Sequence, residues 1–527
     1  MNFVRRLARP DAGAFALSPL IGAVVALLAG QETSWDFRNY HWYNAYSLLT
    51  WRFGQDVAVA HHATYNNPLL DVPYYLAGNA LPAALDVVLL GAVEGLNFFL
   101  LYLIARTVFA GFDASLSRSF SLALAAIGFF GGMSFLLLVT TYSDNVVSIP
   151  VLWALLQLLE LQAGRPNRGR RAIMTRGGVA GLLIGAASAL KLTAVPFAAG
   201  IGAAALLMRL DIRSKALLVA SLAAAAAASF LILGGPWMLY LWYSTGNPLF
   251  PYFNNVLGSP LLGAGTYQDL KFIPQSLWQA IEFPFLFVAE PRATADALFA
   301  DYKLPIAYGV MVMSIPLLAL RRPVEKPFAD GDALRILAAF CAVSYVLWLA
   351  IFAIYRYVVV LEMLAPLVIA ALIGSWPLRL RLRWAICLAL AVVALAGTKL
   401  SFGDRTRPGH QLVQVSVPPI HSPASTLAIL TGLQPVGFLI PSFPAQVSFV
   451  RIDGFLTSAE KPSLLRDQAL ARIAAHKGDL FVFYDAGEEA RMREALAAAG
   501  LTPVAGSCGT VSNNLMGSHE WCAVARR

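Results

Sequence analysis

Apolar positions in this chain come in long blocks rather than in alternation. Nearly uncharged stretches recur from Ala14 to Gly397, separated by short basic clusters or by longer loops rich in aromatic and amide residues. A bilayer crossing takes roughly 20 mostly apolar residues. On that criterion spans are predicted at Ala14–Gly30, Ala84–Phe109, Phe120–Thr140 and Val146–Leu161. A Gly/Ala-rich hairpin follows at Gly177–Met208, turning near Lys191, then a span at Ala216–Gly235. Further spans are predicted at Pro305–Leu320, Ile336–Ile354, Val358–Ile373 and Ala385–Gly397, for about eleven in all. The basic start, MNFVRRLARP, before an apolar run could mark a signal peptide, but the later spans favour an uncleaved first helix.

The basic clusters fix an orientation. With the N-terminus in the cytoplasm, Arg118, Arg165–Arg176, Arg209–Lys215, Arg321–Lys326 and Arg379–Arg383 all fall on the cytoplasmic side, as loops rich in Lys and Arg do. Gln31–Asp71, Tyr142–Asn145, Lys191, Trp237–Leu304 and Arg356 then fall outside. From about Ser401 the pattern changes. SFGDRTRPGHQ reads as a linker, TLAIL and DLFVFYD as buried strands, and SLLRDQALARIAAHKG and GEEARMREALAAAG as amphipathic helices. The predicted organisation is an all-α polytopic membrane unit over residues 1–400 and a small extracytoplasmic α/β domain over 401–527.

Composition agrees. Of 527 residues, 58% are hydrophobic and 13% charged, against about 45–50% and about 25% in soluble domains. The net charge of +9 is spread over the inter-span clusters and gives no single patch for nucleic acid. Cys341 and Cys387 lie in apolar runs, whereas Cys508 and Cys522 lie in the polar C-terminal region and could pair in an oxidising compartment.

The residues suited to chemistry gather on the external side. The first loop, SWDFRNYHWYNAYSLLTWRFG, places Asp36, Asn39, Tyr40 and His41 close together; Asp36, Asn39 and Tyr40 would share one helical face. An interfacial helix anchored by Trp35, Trp42 and Trp51 would not require that polar set. Asp144 lies in the turn YSDN, as a cap or a functional acid. Lys191 sits at the hairpin turn, where it can also snorkel to the surface. Arg356, between Tyr355 and Tyr357, offers a planar fork suited to phosphate oxygens. Asn247 belongs to STGNPLFPYFNN in the large loop. Glu362, deeper in its span, needs a polar partner or a wet cavity.

Four features together resemble the GT-C superfamily of membrane glycosyltransferases, such as protein O-mannosyltransferases and lipid A aminoarabinose transferases. They are an acid after the first span, a Lys hairpin, GNPLFPYFN in a large external loop, and YRYVVVLEMLAPL near the end. The resemblance covers about residues 1–400. It implies a polyprenyl-phosphate sugar donor, a lipid or glycan acceptor, and a site at the periplasmic face of a bacterial inner membrane. It also implies that Asp36 is the base toward the acceptor and that Arg356 stands beside the donor phosphate with Lys191 as a second contact. His41, Asn39, Asp144, Tyr355 and Asn247 would line the substrate. Many family members carry two acids adjacent or one residue apart; here Glu32 and Asp36 stand farther apart, which leaves a divalent metal open. A transporter or flippase, and a non-catalytic assembly subunit, are the competing classes.

Overall fold

The computed structural model describes residues 11–164, 169–319 and 323–527. The basic N-terminal decapeptide, Arg165 to Arg168, and Arg321 with Arg322 lie outside the described residues. Among the described residues eight helices are long and apolar enough to cross a membrane: Ala12–Ala29, Ala83–Val108, Asp144–Ala163, Arg170–Leu190, Ile212–Leu233, Gly331–Ile351, Tyr355–Ile373 and Leu380–Gly397. The remaining expected spans are shorter helices, Ala114–Phe129, Leu192–Leu206 and Lys303–Ala319. Within the expected loop Trp237–Leu304 lie two longer helices, Gly235–Thr245 and Leu277–Ala289, and a single turn at Asn254–Leu257. Polar residues and prolines on both sides hide them from a span-length reading.

Small residues set the helix contacts. In the Ala83–Val108 helix, Gly91 and Gly95 are four apart, and a Cβ on either would strike the backbone of Gly22 or Ser18 in the Ala12–Ala29 helix. Gly177, Gly181 and Gly185 likewise form a seam against Leu218, Leu222 and Ala226 of the Ile212–Leu233 helix. Inside a bilayer no hydrophobic drive pulls apolar helices together, so close backbone approach and the dispersion contacts it allows supply the packing energy.

The expected span Phe120–Thr140 is interrupted. The helix ends at Phe129, a short helix covers Gly132–Leu136, and the chain then runs without helix to Ser143, with left-handed backbone at Val139 and Ser143. Gly131 and Gly132 permit the break, because a Cβ on the first would overlap Glu362 and on the second the Ala300 carbonyl. Glu362 accepts from the amides of Met133 and Ser134, and Asp301 from that of Gly132. The partner Glu362 needs in its span is thus the start of the short helix, with the Lys303–Asp301 pair alongside.

The chain direction brings two kinds of residue to opposite ends of the bundle. Arg106, Arg118, Arg170, Arg171, Arg213, Lys215, Arg335 and Arg381 mark one end. At the other end lie the first loop and the C-terminal sheet. The expected strands Thr426–Leu430 and Asp479–Asp485 pair in parallel, with Ser448–Arg451 on the far side of the first. The strand His519–Arg526 joins antiparallel to Asp479–Asp485, and Gly509–Asn513, Leu501–Pro503 and Val415–Ser416 extend the sheet. The expected helices are Leu464–Ala475 and Glu489–Ala498.

The sheet is docked on the first loop. Arg52 grips Asp56 with two hydrogen bonds and donates to the carbonyls of Ala445 and Val447. Arg451, fully buried, donates to Val59 O and Gly432 O. Gln31–Glu32 pairs antiparallel with Arg405–Thr406, so the stretch read as a linker is held against the membrane unit.

Cys508 and Cys522 form a disulfide that links the start of Gly509–Asn513 to its neighbour strand. With a separation of 14 residues, closing this loop is worth about 3 kcal/mol in the chain-entropy treatment. Alkylation without reductant followed by mass spectrometry is expected to modify Cys341 and Cys387 on unfolding and neither of the pair. Two further alkylated thiols would reject the bridge in the purified protein.

Candidate active site

The first loop opens with a π-helical turn, Phe37–His41, that runs into the helix Trp42–Leu49. Wider than α spacing, such turns are frequent at functional sites. Asp36 immediately precedes it. Its Oδ2 accepts from the Tyr40 hydroxyl at 3.0 Å and from Arg356 Nη1 at 3.1 Å. Arg356 also reaches Asp296 Oδ2 at 3.3 Å, and its guanidinium lies 4.4 Å from the centre of the Tyr142 ring and 5.2 Å from that of Tyr357. Beside it, Lys191 Nζ contacts Asp144 Oδ1 at 2.5 Å and donates to Tyr142 O at 2.6 Å, 5.6 Å from the Tyr357 ring. His41 Nδ1 meets Asp71 Oδ1 at 2.7 Å, and both residues are buried.

The electrostatics follow from this arrangement. Burial pushes the Asp36 carboxyl up, but Arg356, His41 and the hydrogen bonds from Tyr40 and Arg356 outweigh it, and the group lies below the usual Asp range. Asp71 behaves oppositely: burial outweighs His41 and Lys191, and its carboxyl is held above that range. Burial lowers His62, while nearby Asp36 and Asp269 pull it back up. The two carboxyls are therefore shifted in opposite directions, Asp36 downward by the cations around it and Asp71 upward by burial.

A buried clamp places the residues under Arg356. Glu32 accepts from Thr141 N at 2.7 Å, and Glu94 from Val139 N at 2.5 Å. Arg405, from the stretch leading to the sheet, donates to the carbonyls of Val139 at 2.5 Å, Leu138 at 2.7 Å and Leu136 at 3.2 Å. Asn145 donates to Ser134 O, and Asn97 to Asn145 O. The segment from Leu137 to Ser143 has no helix of its own to satisfy its backbone, so these side chains contribute to doing so. What it carries at its end is Tyr142 and Asp144.

The structure brings Asp36, Arg356, Lys191, Asp144 and His41 to one end of the bundle. Other expected residues fall elsewhere. Asn39 is fully buried, and its backbone carbonyl lies against Gly437, in the turn that follows the Thr426–Leu430 strand. Tyr355 is buried between Phe287 and Phe299, and Tyr357 is the neighbour whose ring meets Arg356. Asn247 is fully buried and braces its own turn, accepting from Leu249 N and donating to Tyr252 O. Asp144 caps nothing with its side chain; it pairs with Lys191. Sequence reasoning missed Asp296, which stands in no recognisable motif, and Tyr142, whose partner is remote in sequence.

A metal would need several carboxylate or imidazole ligands around an open position. Glu32 is turned into the clamp, and Asp36 and Asp296 converge on Arg356 instead. Among the described residues no three His, Cys, Asp or Glu side chains are grouped to hold a metal ion. This donor set does not fit a divalent cation.

No protein-family model and no curated protein matches the chain. Among solved structures it is similar in fold to the Archaeoglobus fulgidus oligosaccharyltransferase in its apo form, at 12% identity and a TM-score of 0.48, covering 92% of this chain and 71% of that one. It is similar to ArnT from Cupriavidus metallidurans bound to undecaprenyl phosphate, at 13% identity and a TM-score of 0.44, covering 97% and 98%. It is also similar to the Archaeoglobus fulgidus oligosaccharyltransferase AglB in complex with an inhibitory peptide and a dolichol-phosphate, at 13% identity and a TM-score of 0.42, covering 96% and 75%.

Arg405→Ala removes the donor to the carbonyls of Leu136, Leu138 and Val139, and leaving buried carbonyls without a partner costs about 1–3 kcal/mol each. Thermal unfolding in detergent, followed by intrinsic fluorescence, is expected to show a clearly lowered midpoint for Arg405→Ala. A smaller drop is expected for Arg405→Lys, which keeps the charge but not the fork. An unchanged midpoint for Arg405→Ala would mean the segment holds its shape without the clamp.

Proposed function

We propose that this chain is a membrane glycosyltransferase that moves a sugar from a polyprenyl-phosphate carrier to a lipid, polysaccharide or protein acceptor at the periplasmic face. The observation that carries the reading is the Asp36–Arg356 pair, a carboxylate and a phosphate-matched guanidinium in direct contact at one end of the helices, with Lys191 beside them. Residues 1–400 would hold the site and residues 401–527 the periplasmic domain that covers the first loop.

The chemistry is a single displacement. The acceptor hydroxyl oxygen attacks the anomeric carbon, the bond from that carbon to the phosphate oxygen breaks, and the configuration inverts. Asp36 takes the hydroxyl proton through Oδ1, since Oδ2 holds both Tyr40 and Arg356. The leaving lipid phosphate gathers charge, which Arg356 and Lys191 stabilise. A carboxylate paired with arginine is a weak base. Donor phosphate competes for the same guanidinium, and as Arg356 turns toward it Asp36 loses its counter-ion and gains basicity. The base is thus switched on by the donor, before the acceptor's proton must leave.

Orientation gives one test. Impermeant thiol reagents, applied to intact cells carrying single cysteines, are expected to label exposed positions in Gln31–Asp71 and in the C-terminal region, and to miss a cysteine at Arg170 or Arg213. Labelling at the basic end from outside would invert the topology. The catalytic test is transfer from a radiolabelled polyprenyl-phosphate sugar in proteoliposomes. Asp36→Asn is expected to lower turnover about 10²–10⁴-fold at normal abundance. Arg356→Lys is expected to weaken donor binding because the planar fork is lost. With Asp36 held below the ordinary Asp range, the free enzyme's base stays ionised through that range, and kcat/KM is expected to lose activity from its protonation only on the acid side of it. Near-normal turnover of Asp36→Asn would remove Asp36 from the role of base.

A further inference from the structure

A half-exposed phenylalanine from the C-terminal sheet completes a ring-lined wall beside Asp36. Phe455 follows the strand Ser448–Arg451 and is 51% exposed. Its ring meets His61 edge to face at 4.7 Å and lies 6.4 Å from His62. His61 is stacked on Trp35, at 5.7 Å and nearly parallel, and Trp35 directly precedes Asp36. His62 lies 6.2 Å from Tyr252 of the large loop, and both sense the charge of Asp36.

The loop that presents Phe455 is rigidly built. Arg451 is anchored on Gly432 O and Val59 O, and Asp453 is gripped by two hydrogen bonds from Arg491. Gly454 lets the chain cross Arg451 and His61, since a Cβ there would lie 2.6 Å from the arginine side chain. His61 is held by Leu433 O through Nε2, while its Nδ1 is buried and has no hydrogen-bond partner. A large ring fixed in a half-exposed position gives up part of its own burial, and here it faces titratable groups instead of a lipid-clad helix surface.

We propose that Phe455, with Trp35 and His62, forms a stacking subsite for a saccharide ring of the acceptor, so that the C-terminal sheet reads the acceptor for the transfer proposed above. Sugars present apolar C–H faces and polar rims. Aromatic faces with imidazole and carboxylate groups at their margins match that pattern, whereas an acyl chain would gain nothing from the polar margin. Phe455 acts in binding, and no bond changes at it.

The experiment uses full-length protein in nanodiscs free of glycoside detergent, with oligosaccharides hydrolysed from the envelope of a strain lacking this protein. Saturation-transfer NMR is expected to saturate the ring C–H protons of these sugars with wild type and with Phe455→Trp, and to lose about tenfold in apparent affinity with Phe455→Ala. Asp36→Asn is expected to bind them as wild type does while failing to transfer, which separates this subsite from the catalytic reading. In proteoliposomes carrying the deletion strain's lipids, Phe455→Ala should raise KM for acceptor about tenfold and leave donor KM unchanged. No saturation with any sugar, equal saturation with Phe455→Ala, or saturation of decanoate chains instead of sugar rings overturns the proposal. Retained turnover of Asp36→Asn with intact sugar binding would overturn the base assignment alone.

Discussion

The arrangement depends on satisfying one stretch of backbone that is not helical. Between Leu136 and Ser143 the chain leaves helix at the end of the bundle. In an apolar surrounding each unpaired amide or carbonyl costs several kcal/mol, and such stretches persist only where protein satisfies them. Glu32, Glu94 and Arg405 do so from three distant parts of the chain. The cost is two carboxyl groups removed from water, offset by the hydrogen bonds they accept from the Thr141 and Val139 amides. The return is geometric: a helix would carry Tyr142 and Asp144 along a regular spiral, whereas the clamped segment lays Tyr142 under Arg356 and sets Asp144 against Lys191.

The same logic accounts for the charges at the site. Arg356 is held by two carboxylates, Asp36 and Asp296, and by two tyrosine rings. The guanidinium is weakly hydrated and planar, so the rings can cover its faces while the acids take its edges. Lys191 carries the same charge on a compact ammonium and finds one carboxylate and one carbonyl. Two cations this close repel each other, and the surrounding acids hold them together. Under the proposed function the free site would be a preorganised anion site with temporary counter-ions, Asp36 being the counter-ion with chemistry to do once an anionic donor releases it.

Much of the architecture was legible from the chain. Blocks of apolar residues located the helices, and the basic clusters gave each a direction, because length and charge act locally in a bilayer. Asp36, Lys191 and Arg356 were legible because a charge beside an apolar run stands out. What escaped had a common cause. The break at Gly131 shows up in sequence as two glycines in an apolar run, and only the acids Glu362 and Asp301, remote in the chain, turn it into a short helix. The π spacing of Phe37–His41 has no counterpart in the α periodicity that the sequence pattern offers. Tyr355 and Tyr357 are indistinguishable in YRYV; packing against Phe287 and Phe299 decides which one is buried.

The docking of the sheet bears on what the C-terminal region does. Open α/β sheets offer their ligand crevice at the carboxyl ends of the parallel strands, where the strand order reverses. Here that point lies at the end of Thr426–Leu430, between strands that follow it on either side. The loops leaving those ends are taken up by the membrane unit: Gly437 lies against Asn39 and Tyr43, Leu433 O receives His61, and Arg451 turns from Gly432 O to Val59 O. The crevice in which such a fold would bind a ligand of its own is filled by the first loop. The sheet's loops therefore brace the π-helical turn, while Arg405, in the stretch that leads to the sheet, holds the non-helical segment that follows Leu136.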